Sequence, residues 1–186
     1  DFQYSEAKNL SELAQKLKNK QHCILVVNTE KVLIKEVATT ANINTLLFNA
    51  FPGLSTDDFY YQITEGLSKS YVAVIKKTEV DSLIHSLKEV KFDVVSFCMG
   101  FSNVNNVLSI IKNNSFHTAT YHLRKEDNNI ASYEFSESDS LEYQVVDETV
   151  DSKWLLSLSA LFGRIWLLNV QDRFYRPLKT GLKVVS

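Results

Sequence analysis

Apolar and polar residues follow two rhythms along the chain, and the change from one to the other marks the elements. From Ser5 to Lys18, Ala7, Leu10, Leu13, Ala14 and Leu17 recur at steps of three and four, which predicts a helix. His22 to Asn28 is an almost unbroken apolar run. After Thr29-Glu30 the run Lys31 to Val37 alternates, with Val32, Ile34 and Glu36 set against Leu33, Lys35 and Val37. Two strands joined by a tight turn are expected, although the turn lacks Asn-Gly or Asp-Gly. Asn42 is placed to cap a short helix through Ala50, ended by Pro52-Gly53. Phe59–Thr64 and Lys69–Lys76 predict a second strand pair around Glu65-Gly66. Thr78 is placed to cap a helix carrying Val80, Leu83, Ile84, Leu87 and Val90. Phe92 to Met99 has few polar side chains, which predicts a strand central in its sheet.

Beyond this point the character changes. Asn103 to Lys112 predicts a short helix, broken by Asn113-Asn114. Phe116–Arg124, Ile130–Phe135 and Leu141–Val146 predict three short strands, separated by polar turns at 125–129 and 136–140. Asp151 or Ser152 is placed to cap a helix running at least to Leu168. The expected fold class is mixed α/β with flanking helices, in two lobes. A mixed α/β lobe covers 1–114, a strand–strand–strand–helix lobe 115–170, and a basic tail 171–186.

Composition narrows the function more than the pattern does. In 186 residues, 45% are hydrophobic and 23% charged, which excludes a disordered, collagen-like or polytopic membrane chain. Twenty basic against 22 acidic residues give a net charge of -2. That lacks the basic footprint of a nucleic-acid binder, and no nucleic-acid partner is expected. All five glycines stand apart, so there is neither a Walker loop nor a dinucleotide fingerprint. Cys23 and Cys98 lie in apolar runs, which predicts buried free thiols in a reducing compartment. The single methionine is Met99, so Asp1 is not expected to be a natural start.

Candidate chemistry is sparse. His117 and His122, five apart on one expected strand, would point to opposite faces and could not share an ion. Asp57-Asp58 and Asp147-Glu148-Asp151 are the tight carboxylate groups. The first follows a Pro-Gly turn and the second flanks a helix start, where capping and the helix dipole favour negative charge. No nucleophile elbow is present, and no catalytic residue, metal or cofactor is expected. The C-terminus says more. Trp154 to Leu168 is apolar almost all round, but too short and too interrupted to span a bilayer. Arg173, Phe174, Tyr175, Arg176, Lys179 and Lys183 then interleave bases with aromatics, as on the cytoplasmic flank of a membrane helix or in an ordinary amphipathic tail. Phe174, Tyr175 and Arg176 are expected to dock on the late helix. Arg173, Lys179 and Lys183 are expected to face a membrane surface.

From Leu10 to Val104 the order of elements resembles the cytoplasmic domains of the GspL/PilM family, actin-like proteins of type II secretion and type IV pilus assembly. The residues that carry the likeness are Leu13-Ala14, Ile24-Leu25-Val26-Val27-Asn28 and Val32-Leu33-Ile34-Lys35-Glu36-Val37. Ala50-Phe51-Pro52-Gly53-Leu54, Asp57-Asp58-Phe59-Tyr60-Tyr61 and Tyr71-Val72-Ala73-Val74-Ile75-Lys76-Lys77 continue it. The likeness covers rather more than half the chain, in short degenerate pieces. It implies an actin-like, ribonuclease-H-like fold whose opening strands would precede Asp1, with a membrane helix after the tail. The family's nucleotide site uses two glycine-containing turns. Their counterparts here, Asn28–Lys31 and Glu126–Asn129, contain no glycine. The resemblance therefore implies a non-catalytic scaffold in the cytoplasm, tethered to the inner membrane. Its partners would be proteins of a secretion or pilus assembly complex, or a second copy as a homodimer. An actin-like ATPase or ribonuclease-H-like nuclease is the alternative on the same fold.

Overall fold

The structure is a computed structural model, and it describes residues 4–16, 19–137, 139–170 and 183–185. The first helix, α1 (Leu10–Gln15), is shorter than the periodicity from Ser5 suggests. Asn9 sets its start, because the Asn9 side chain accepts a hydrogen bond from the Glu12 amide and fixes the cap there.

Strand β1 (Gln21–Val27) lies parallel to β5 (Phe92–Met99) on one side and β11 (Lys183–Val185) on the other. The centre of this sheet is therefore β1, not β5. Cys23 to Val27 are all buried, as a strand covered on both faces requires. Among the described residues, one edge of β5 has no strand neighbour. There the Gln62 side chain takes the place of one: it donates to the Phe97 carbonyl (3.1 Å) and accepts from the Met99 amide (2.8 Å) and the Ser102 hydroxyl (2.6 Å).

The expected β1–β2 hairpin does not form. β2 (Leu33–Ala38) pairs with β4 (Lys69–Lys76), which also pairs with β3 (Phe59–Glu65) in a separate antiparallel sheet. A uniformly apolar β1 is stabilised by two-sided burial in a parallel sheet, while the half-exposed β2 suits an antiparallel edge. The β3–β4 pair around Glu65-Gly66 is as expected. β4 is buried from Ser70 to Ile75 because both its faces are covered. Val72 and Val74 meet Leu46, Leu47 and Ala50 of α2 (Ile43–Ala50), while Ala73 and Ile75 join Cys23, Leu25, Val80 and Leu87. Asn42 caps α2 by accepting from the Thr45 amide (3.1 Å). α3 (Lys77–Glu89) follows β4 directly, so Thr78 lies in its first turn and Lys76 holds the cap position without a side-chain bond.

Past β5, the expected helix 103–112 is reduced to a 3-10 turn at Val104–Asn106. The run from Phe116 to Arg124 is two strands, β6 (Ser115–His117) and β7 (Tyr121–Glu126), folded back at Thr118. The Thr118 hydroxyl accepts from the amides of Thr120 and Tyr121, an ST-turn that reverses the chain. β8 (Asn129–Phe135) pairs with β7 across Asp127-Asn128, both with positive φ (47° and 58°), as a type I′ hairpin turn requires. β9 (Glu142–Val145) and β10 (Glu148–Asp151) form a second hairpin. Asp151 accepts from the Lys153 amide, and a 3-10 turn (Ser152–Trp154) leads into α4 (Leu155–Val170).

One apolar cluster joins both halves of the sequence. It contains Ile24, Val26, Tyr71 and Cys98 together with Phe116, Leu123, Ile130, Val150 and Leu155. Gly66 marks the closest approach: a Cβ there would lie 2.5 Å from the Ile130 carbonyl oxygen, which accepts from the Leu67 amide at 2.9 Å. The fold class is mixed α/β, with several sheets and flanking helices, as the sequence predicts.

Candidate functional site

The turns that the family resemblance singles out are both occupied by their own side chains. After β1, the Asn28 amide donates to the Thr120 hydroxyl at 2.6 Å, and Lys31 pairs with Glu79 of α3 at 2.5 Å. The Val32 amide closes the turn on the Thr29 carbonyl (3.0 Å). One polar atom there, Asn28 Oδ1, is buried without a hydrogen-bond partner. The β7–β8 turn carries Glu126 and Asp127, and Asn129 donates back to the Asp127 carbonyl (2.9 Å). Carboxylates and a tight two-residue turn oppose a phosphate rather than cradle it.

The two histidines are not on one strand, and the structure brings them together. His117 of β6 sits directly opposite His122 of β7, with rings stacked at 4.4 Å and 13° between planes. His122 lies 2.6 Å from the Ser115 hydroxyl and 3.9 Å from Glu134 of β8, its cross-strand neighbour on the other side. His117 Nδ1 is buried without a hydrogen-bond partner, and burial, reinforced by His122, lowers the His117 pKa. Stacked rings present their nitrogens side by side rather than converging. Among the described residues no group of three or more His, Cys, Asp or Glu side chains is arranged to hold a metal ion.

The remaining sequence candidates separate. Asp57 and Asp58 are exposed in the turn before β3, where the Asp58 carbonyl accepts from the Lys77 amide. Asp151 caps the 3-10 turn and accepts from Ser140, and Asp147 lies in the β9–β10 turn. Both cysteines are buried free thiols, pushed up by burial to about 11 for Cys23, with Asp93 adding to the effect, and to about 12 for Cys98. Arg173, Phe174, Tyr175, Arg176 and Lys179 lie outside the described residues. Of the tail candidates only Lys183 has a described position, in β11 opposite Cys23 of β1. No helix among the described residues is long and apolar enough to cross a membrane.

One feature goes beyond those candidates. From Glu126 to Asp151 the chain carries nine acidic residues and not one lysine or arginine. The signal was present in the sequence as a run without bases, dispersed among strand residues.

No family model matches the chain, and no curated protein matches it. Among solved structures, it is similar to the cytoplasmic domain of EpsL, an inner membrane component of the type II secretion system of Vibrio cholerae. The identity is 15% and the TM-score 0.42, over 80% of this chain and 57% of that one. The chain thus spans little more than half the length of that domain.

Proposed function

We propose that this chain is a non-catalytic, actin-like scaffold domain that holds protein partners of a secretion or pilus assembly platform at the inner membrane. What supports the reading most is the state of the two turns where such a fold would take a nucleotide. Asn28 is engaged by Thr120, Lys31 is neutralised by Glu79, and the second turn is lined by Glu126 and Asp127. A γ-phosphate would have to displace an ion pair on one side and meet carboxylates of like charge on the other. The link between an assembly ATPase and a membrane complex follows from the resemblance over Leu10 to Val104. The basic tail from Arg173 to Lys183 would lie near anionic lipid, where each base contributes about 1 kcal/mol.

Thermal unfolding with ATP and Mg²⁺ separates this from an actin-like ATPase or a nuclease. A ligand at a hundred times its Kd adds about 2.7 kcal/mol of apparent stability. The scaffold reading expects no shift, and a magnesium-dependent rise in Tm would overturn it. The positive arm is co-purification with the assembly proteins encoded beside its gene; their absence from the wild-type preparation would remove the scaffold role.

A further inference from the structure

We propose that Ser115, His122 and Glu134 form a nucleophilic site at which the Ser115 hydroxyl accepts an acyl group from an activated ester. None of the three lies in the two turns on which the scaffold reading rests, and one acyl transfer per chain requires no turnover. The inference therefore stands or falls apart from that reading. The β6–β7–β8 sheet sends Phe116 and Leu123 into the core, which leaves the alternate residues of these strands on its outer face. His122 occupies the middle strand of that face. Its direct neighbours are His117 on β6 and Glu134 on β8, and Ser115 lies diagonally across from it, a separation that an aromatic side chain spans. His122 Nε2 is 2.6 Å from the Ser115 hydroxyl, and Nδ1 is 3.9 Å from a Glu134 carboxylate oxygen. Nucleophile, base and a third group that orients the base thus stand in order on three adjacent strands.

The surroundings set the role of each part. The Glu134 carboxylate, beyond hydrogen-bond reach, acts through its charge. It favours the proton on Nδ1, which leaves the Nε2 lone pair for the Ser115 O–H. The His117 ring, stacked on His122 with 13° between planes, fixes the plane of the base. Burial, and then His122, lowers the His117 pKa, so the stack adds no opposing positive charge at neutral pH. The His122 side chain is only 25% exposed, whereas Ser115 is open to an approaching carbonyl. Arg124, the direct cross-strand neighbour of Ser115, is exposed on the same face, and its charge favours an oxyanion formed beside Ser115. In the step itself, Ser115 Oγ bonds to the acyl carbon as its proton passes to His122 Nε2. The bond from that carbon to the leaving group breaks, and the leaving group takes the proton from Nε2. The products are an ester at Ser115, the protonated leaving group and a neutral His122.

The probe is p-nitrophenyl acetate, offered to the full chain, with sites and rates of acetylation read by peptide mass spectrometry. Ser115 is expected to acetylate at least about tenfold faster than any other serine, an advantage that unfolding in urea should remove. This wild-type pattern decides even where a variant fails to fold. His122→Gln, which keeps a polar side chain of similar size, should slow acetylation of Ser115 about a hundredfold. Glu134 is a positioning residue, and Glu134→Ala should slow the reaction about tenfold. The same variant should move the His122 proton from Nδ1 to Nε2 in ring-nitrogen spectra, a change that lost packing alone would not produce. Tm should be unchanged in both variants. Acetyl groups spread evenly over the serines, a wild-type rate in His122→Gln, or an Nε2–H ring in the wild-type protein would overturn the proposal.

Discussion

Lys125 is buried, and its ammonium donates to the carbonyls of Leu108 and Ile111 at the end of the segment that follows the 3-10 turn. Burial lowers its pKa, yet the two carbonyls would be orphaned without it. Lys125→Met is therefore expected to destabilise by about 2 kcal/mol, read as a lower urea midpoint with unchanged slope; an unchanged midpoint would mean the carbonyls find other donors. His117 is a second residue whose surroundings set its chemistry. Its neighbours are His122 on β7, Tyr143 (whose hydroxyl accepts from the His117 amide), Ser115 on its own strand and, beyond His122, Glu134. Desolvation first, then His122, depresses its pKa below 6.5. A depressed folded value means that stability is complete above the ordinary pKa and is lost as pH falls below it. The His117 ring should titrate below 6.5 by NMR, and His122→Gln should raise its midpoint. A midpoint at or above 6.5 in the wild type would refute the assignment. The histidine pair was not legible beforehand, because threonines at 118 and 120 suit a strand as well as a turn. Only the Thr118 hydroxyl, accepting from two amides, decides for the turn.

Elements whose ends are set by local chemistry were readable from the chain. Asn42 and Asp151 cap where their side chains reach the amides of Thr45 and Lys153, and the β3–β4 pair turns at Glu65-Gly66. Elements whose neighbours are chosen by long-range burial were not. β1 and β2 look like a hairpin because they adjoin in sequence, but β1 gains more from β5 and β11, and β2 from β4. The low polarity of β5 was likewise misleading about its place. The strand borders β1 on one side, and on the other the Gln62 side chain from β3 bonds the Phe97 carbonyl and the Met99 amide, an amide that also donates to the Ser102 hydroxyl (3.2 Å). Gln62→Leu keeps the approximate volume but leaves the Phe97 carbonyl and the Met99 amide without that partner. A loss of about 1–3 kcal/mol is expected, with faster hydrogen exchange at Met99. Protection of the Met99 amide equal to wild type would show that another group covers this edge.

At the scale of the whole molecule, the sequence withholds exposure: the absence of bases between Glu126 and Asp151 can be counted, but that Phe135 stands 67% exposed at the end of β8 is seen only in the fold. The core sets the last prediction. Cys98, Tyr71 and Tyr121 belong to one apolar cluster and Cys23 to the next. Burial raises all four pKa values, to about 12 for Cys98 and Tyr121 and about 11 for Cys23. A raised folded value means that stability is intact below the ordinary pKa, 9.0 for a thiol, and is lost as pH climbs toward the folded value. Lys125 acts in the opposite sense, since a lowered lysine pKa makes stability rise with pH over its own window. One lysine stands against four acids, so the net effect is a fall. Cys98 alone should contribute about 2 kcal/mol of loss at a pH near ~10.5. Calorimetry from neutral pH upward should show Tm constant to about 9 and then dropping, with Cys98→Val making the drop shallower. A flat profile through this range would mean that these groups reach solvent in the folded state, and that the cluster joining the two halves of the chain is not closed.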